Sequence, residues 1–169
     1  DVYKRQALLK AATGEIAKNE ELGGSEMHSR VTGLVEYLAD DDAHAIEIVR
    51  DLINKIDLNS KILKRQSIKF QEPIYDCGEI IGVVPIDYKV PYDVRELIAR
   101  IVDGSDFMDF KPQYGFSTVC VHTKINGFAC GIIGNNGPID PNGATKSAQF
   151  IQLCDQSDTP LIFLSNTTE

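Results

Sequence analysis

Gly134, Asn135, Asn136 and Gly137 stand between an apolar run, Phe128 to Ile133, and Pro138. Glycine and asparagine tolerate positive φ and proline sets a turn, so a strand must end at this point. From Ala144 the spacing changes: Ala144, Ala148, Ile151 and Cys154 fall three or four apart, with Thr145, Lys146, Gln149 and Gln152 between them, which predicts a helix. Backbone N–H groups between a strand end and a helix start lack ladder partners, and they can meet an anion or a developing oxyanion. These four residues are therefore the candidate ligand site. An ordinary βα turn has the same composition, and spacing alone leaves both readings open. Lys146 could meet a phosphate or carboxylate, although a single lysine on a helix is more often solvated.

Other chemistry-bearing types are sparse. Asp40, Asp41 and Asp42 precede a helical stripe of Ala45, Ile46, Val49, Leu52, Ile53 and Ile56. Carboxylates there complement a helix dipole, and the metal-binding alternative suffers because neighbouring helical residues point different ways. His28, His44 and His122 show no HExxH spacing, and Cys77, Cys120, Cys130 and Cys154 show no CxxC pairing. The last three cysteines sit in apolar patterns and read as buried free thiols. GxGxxG, Walker A and GxSxG are absent.

The elements that must hold the candidate loop follow from turn signals. Ser117 to Ile125 alternates, Asn126-Gly127 is a strong hairpin turn, and the return strand runs into Gly134. Pro160 ends the helix, and Leu161 to Leu164 reads as a strand buried on both faces. Upstream, Asp93 can cap a helix with apolar positions Val94, Leu97, Ile98, Ile101 and Val102, closed by Gly104, with Phe107 and Phe110 pinning the next loop. Cys77 to Pro85 is a short apolar segment, and Asn59 to Pro73 reads as a linker. Asn19 to His28 reads as an acidic helical turn stopped by Gly23-Gly24, and Ala7 to Ala12 as the end of a strand. The opening DVYKRQ, Asp1 to Gln6, is the translation of GATGTGTATAAGAGACAG, which looks like the end of a sequencing adapter, so residues 1–6 are set aside from fold reasoning.

The chain has 169 residues, about one domain by length, and at 43% hydrophobic content it can bury a core. Lys+Arg 17 against Asp+Glu 25 leaves a net charge of −8 with no basic run, which disfavours nucleic acid and anionic membranes as partners. No apolar run approaches the roughly 18 residues of a membrane span, and a cytoplasmic protein is the expectation.

Three longer stretches carry a resemblance. LGGSEMHSRVTGLVEYLADDDAHAIEIVRDLI (Leu22 to Ile53), YDVRELIARIVDGSDFMDFKPQYG (Tyr92 to Gly115) and INGFACGIIGNNGPIDPNGATKSAQFIQLCDQSDTPLIFLSNTT (Ile125 to Thr168) together resemble the carboxyltransferase (β) subunit of biotin-dependent acyl-CoA carboxylases. DVRELIARIVDGS and GIIGNNG look like the methylcrotonyl-CoA branch, and Asn136 to Lys146 looks more like relatives acting on geranyl-CoA.

The resemblance implies an α/β, crotonase-like fold, a spiral of ββα units, truncated at both ends. Residues 7–71 would be the tail of the first carboxyltransferase domain and 72–169 the start of the second, in place of the one domain that length suggests. It implies transfer of a carboxyl group from carboxybiotin, held by a biotin carboxylase/biotin carrier partner, to the γ-carbon of a branched α,β-unsaturated acyl-CoA, in a homo-oligomer of the full-length subunit. The charge of the resulting dienolate rests on the thioester oxygen, which calls for hydrogen-bond donors. The family's principal donors belong to glycine-rich turns outside this sequence, so no catalytic residue is assigned. Gly134, Asn135, Asn136 and Gly137 remain candidates for lining the biotin or acyl pocket. The alternatives are a biotin-free crotonase-fold hydratase, isomerase or decarboxylase, and an inactive scaffold fragment.

Overall fold

A computed structural model describes residues 2–55, 70–87 and 89–166. In chain order the N-terminal part runs α1 (Val2–Thr13), α2 (Asn19–Gly23), α3 (Ser25–Met27), a π-helical turn (His28–Thr32) and α4 (Asp42–Lys55). A 3-10 turn at Cys77–Glu79 leads into α5 (Ile80–Val83), then α6 (Val94–Ile98) and a second 3-10 turn at Asp103–Ser105. The remainder is β1 (Phe107–Asp109), β2 (Thr118–Ile125), β3 (Phe128–Asn135), α7 (Pro141–Gln156) and β4 (Leu161–Leu164).

One four-stranded sheet, in the order β1-β2-β3-β4, organises these elements. The first three strands are antiparallel; β4 lies parallel to β3, with Gly131 opposite Leu161 and Gly134 opposite Leu164. A parallel neighbour requires a crossover, and α7 supplies it. The β2–β3 hairpin turns on Asn126 (φ 51) and Gly127 (φ 79), the two positive angles that a tight type I′ turn needs. Asp103 holds this turn by accepting from Asn126 N (2.7 Å) and Gly127 N (2.6 Å).

Side-chain alternation along the strands builds a core on each face of the sheet. On one face Val119, Val121, Cys130 and Ile132 pack against Val94, Ile98 and Val102 of the α6 region. On the other, Cys120 and Ile133 pack with Phe110 and with Phe150 and Cys154 of α7. As expected, Asp93 caps α6, accepting from Arg95 N at 3.0 Å. The N-terminal part is tied to the sheet by two buried lysines. Lys55 of α4 pairs with Asp106, and Lys111 donates to Gly33 O and lies 3.5 Å from Glu36.

Several expectations are overturned. Ala7 to Ala12 lies inside α1, not in a strand; its alanine, leucine and lysine composition, with no β-branched residue, favours helix. On α4, Asp41 accepts from His44 N at 2.8 Å, a cap that the sequence reading did not name, and the predicted apolar stripe is only partly turned inward: Ala45 and Leu52 are half-buried. Ile46, Val49 and Ile53 are 59%, 54% and 50% exposed, while Lys55 is buried by its partner Asp106. On α7 the buried residues are Gly143, Lys146, Phe150 and Cys154 rather than Ala144, Ala148 and Ile151. Phe150, the largest apolar side chain of the helix, decides which face turns inward. Leu161 to Leu164 is a strand, but an edge one: Ile162 and Phe163 are exposed, since among the described residues β4 has a neighbour only on the β3 side. Phe107 lies in β1, a strand where a pinned loop was expected. Most of the predicted linker, residues 59–69, falls outside the described residues, as does Ile56.

Candidate functional site

Because β3 and β4 are parallel, their C-terminal ends meet on one side of the sheet, with Asn136, Gly137 and the start of α7 beside them; β3 itself runs through Gly134 and Asn135, two residues past the expected strand end, because both still pair in the sheet. Outside the carboxyl ends of parallel strands is where open α/β sheets place ligands. The four consecutive candidate residues thus stand together at this end of the sheet. Their side chains, however, are occupied in ways that composition does not reveal.

Gly134 is buried under α6: a Cβ there would stand 2.8 Å from Val94 Cγ2. The Asn135 carboxamide pairs with the backbone of Asn166 at the exit of β4, accepting from Asn166 N at 2.8 Å and donating to Asn166 O at 2.7 Å. Its Nδ2 also donates to Gly137 O at 3.0 Å. Asn136 turns the other way, accepting from Val94 N (2.7 Å) through Oδ1 and donating to Asp93 Oδ1 (3.0 Å) through Nδ2. Its backbone N–H is taken by Ser117 O at 2.8 Å. Gly137 alone faces open space, with nothing within 4 Å of a built Cβ.

The helix start is also partly committed. Asp140 accepts from Gly143 N at 2.6 Å, Ala144 N donates to Asp140 O at 2.9 Å, and Pro141 has no N–H to offer. An anion arriving at α7 would meet the Asp140 carboxylate first. The expectation of a set of free helical N–H donors gives way to a self-capped helix.

Lys146 is corrected most. It is 1% exposed, and its Nζ donates to Tyr114 O (3.0 Å) and Thr118 O (2.9 Å), so it meets neither solvent, phosphate nor carboxylate. Burial lowers its pKa, against the opposing pull of nearby Cys120 and Asp109. The Tyr114 hydroxyl donates in turn to Asn142 Oδ1 at 3.1 Å, fastening the turn before β2 to the first turn of α7. Asp93, held by the Arg95 backbone N–H and the Asn136 amide, titrates below the usual carboxylate range although partial burial pushes it up.

Away from the loop, a cleft of about 440 Å³ opens between α4, β2 and α7, lined by Tyr37, Leu52, Phe110, His122 and Leu153. Burial lowers the His122 pKa, so the ring, packed 4.7 Å from Phe150, is neutral near pH 7. The Tyr37 hydroxyl is pushed up by burial first and then by Glu36. Sequence reasoning passed over this cleft because its residues come from three distant segments. Among the described residues no group of three His, Cys, Asp or Glu could hold a metal, and no helix is long and apolar enough to cross a membrane.

Comparison with known proteins adds what geometry cannot. The chain is 45% identical over 162 residues to the mitochondrial methylcrotonoyl-CoA carboxylase beta chain of Dictyostelium discoideum, covering 95% of this chain and 27% of that protein. Among solved structures it is similar to the beta subunit of geranyl-CoA carboxylase from P. aeruginosa, at 54% identity and TM-score 0.59, covering 92% of this chain and 30% of the other. The transcarboxylase 12S subunit, solved as a hexamer with methylmalonyl-coenzyme A bound, matches at 31% identity and TM-score 0.80, covering 97% of this chain and 33% of that one. The chain thus spans less than a third of the length of the Dictyostelium relative. Its hairpin, helix and parallel strand belong to the crotonase-like fold of these carboxyltransferase subunits. The family's carboxyl transferase domain model matches residues 6–168, nearly the whole sequence, and the chain belongs to that family.

Proposed function

We propose that this chain is part of the carboxyltransferase subunit of a biotin-dependent acyl-CoA carboxylase, acting on 3-methylcrotonyl-CoA or geranyl-CoA. The observation that carries this reading is the gradient of similarity: 54% and 45% identity to proteins named for geranyl-CoA and methylcrotonoyl-CoA, against 31% to one solved with methylmalonyl-CoA. The match of the carboxyl transferase domain model over residues 6–168 disfavours a biotin-free crotonase enzyme.

In this reading the Gly134–Gly137 loop lines the biotin or acyl pocket. The open space at Gly137 fits the close backbone approach that a thioester or ureido oxygen requires. Both asparagine carboxamides and the Asn136 N–H are held by the protein itself, so in this reading Gly137 is the position through which the ligand is met. A backbone donor facing developing negative charge is worth about 2.7–4 kcal/mol of barrier. Carboxybiotin, delivered by a biotin carboxylase/biotin carrier partner, supplies the activated carboxyl group. Residues 7–71 close a first crotonase-like domain and 72–169 open a second, within a homo-oligomer of the full-length subunit. Four free cysteines suit a reducing compartment, here the cytoplasm.

The test is ATP-dependent phosphate release by the complete subunit with its biotin partner, offered methylcrotonyl-CoA, geranyl-CoA and propionyl-CoA separately. Turnover of either branched substrate at least tenfold above propionyl-CoA is expected. Preference for propionyl-CoA, or no carboxylation of any of the three, overturns the reading.

A further inference from the structure

The two adjacent asparagines at the end of β3 reach in different directions, and the difference assigns them different work. Asn136 holds the N-terminus of α6 through Val94 N and Asp93. Asn135 holds Asn166, using its carboxamide as a peptide unit would be used: the carbonyl oxygen accepts from Asn166 N while the NH2 donates to Asn166 O. The regular β3–β4 ladder reaches Gly134 opposite Leu164, so this pair extends the parallel pairing beyond the last strand residues by side chain instead of backbone. The second N–H of the same amide reaches Gly137 O, so one side chain fixes both the candidate loop and the segment leaving β4.

We propose that Asn135 is a positioning residue at the ends of β3 and β4: its side chain does not touch substrate, but it sets where the chain leaving β4 stands relative to Asn136 and Gly137. This rests on the carboxyltransferase reading. Both amide hydrogens are spent and the carbonyl oxygen is engaged, so the side chain has no free donor for a ligand. Removing the amide frees Asn166 and the loop from each other. A misplacement of about 1 Å in a site costs on the order of 100-fold in rate.

The experiment compares Asn135→Leu and the isosteric Asn135→Asp, which loses both donors, with Asp103→Ala, in the complete subunit with its biotin partner. Asp103 holds the Asn126-Gly127 turn at the opposite end of β3, so its variant reports general loosening of the sheet. Expected for both Asn135 variants is a kcat lowered about 10–100-fold with the KM for acyl-CoA within threefold; for Asn135→Leu, which removes the acceptor of Asn166 N, amide exchange at Asn166 should be faster by tenfold or more. Asp103→Ala is expected to lower Tm by a comparable amount with kcat and exchange at Asn166 unchanged. An unchanged kcat, a raised KM at constant kcat, or an equal loss of kcat in Asp103→Ala overturns the positioning role. The exchange measurement needs no activity: if the unmodified subunit carboxylates nothing, the functional reading fails, while slow exchange at Asn166 in Asn135→Leu sinks the clamp by itself.

Discussion

Lys146→Met removes a charge that the sheet was built around and keeps the length of the side chain. In the native structure the ammonium group is almost wholly buried, and its two acceptors, Tyr114 O and Thr118 O, belong to the turn before β2 and to β2 itself. A hydrogen bond from a charged donor contributes about 1.5–3 kcal/mol, so two such bonds amount to roughly 3–6 kcal/mol. Part of that is returned because methionine relieves the cost of burying an ammonium, which is itself several kcal/mol. The expected net loss is about 2–4 kcal/mol. Urea denaturation followed by circular dichroism measures it, with amide exchange over residues 111–118 as the local readout. A second measurement needs no mutation: an amine-acylating reagent at pH 8 should label exposed Lys124 in the folded protein and spare Lys146 until denaturant is added. A loss below about 1 kcal/mol, or labelling of Lys146 as fast as Lys124, would refute the view that this lysine pins the turn.

Gly115 has φ +57, and a Cβ there would stand 2.9 Å from Gly143 N and 3.0 Å from Gly143 Cα, backbone atoms that cannot rotate away. Gly115→Ala should therefore cost about 2–4 kcal/mol, from left-handed strain and overpacking together, read as a fall in Tm. A thiol-specific reagent should titrate Cys77 in the native protein and all four cysteines after denaturation, since Cys120, Cys130 and Cys154 are buried. Burial raises those three thiols to about 11. Between the unfolded value of about 8.5 and that figure the folded chain binds more protons, so their contribution to stability is complete below about pH 8.5 and is lost as pH rises toward 11. Lys146, lowered by burial, acts in the opposite sense, because there the unfolded chain binds the extra proton. Denaturation across this range should show a net fall for the native protein and a steeper one for Lys146→Met.

Local chemistry was legible in the order of residues. Asn126-Gly127 announced the hairpin because both positions need positive φ, and those two residue types adopt it at little cost. Asp93 announced a helix start because a cap reaches only two or three residues along the chain. The Gly134 to Gly137 run announced a strand end within two residues of where β3 stops at Asn135, and the long stretches of family resemblance are likewise a property of residue order.

What each of those residues does was decided at long range. Lys146 looked solvated because its acceptors lie 32 and 28 residues earlier in the chain; only the packing of α7 against β2 brings their carbonyls within 3.0 Å, and without them the lysine would face water. The Asn135 amide looked available to a ligand because Asn166 is 31 residues away and reaches it only when β4 docks parallel to β3. The apolar residues of α4 looked like a core stripe, yet among the described residues Ile46, Val49 and Ile53 are exposed while Lys55 is buried against Asp106, 51 residues on. Caps and turns are settled by neighbours in sequence. Burial of a charge or an amide depends on which partner the fold brings near, and only the tertiary structure contains that.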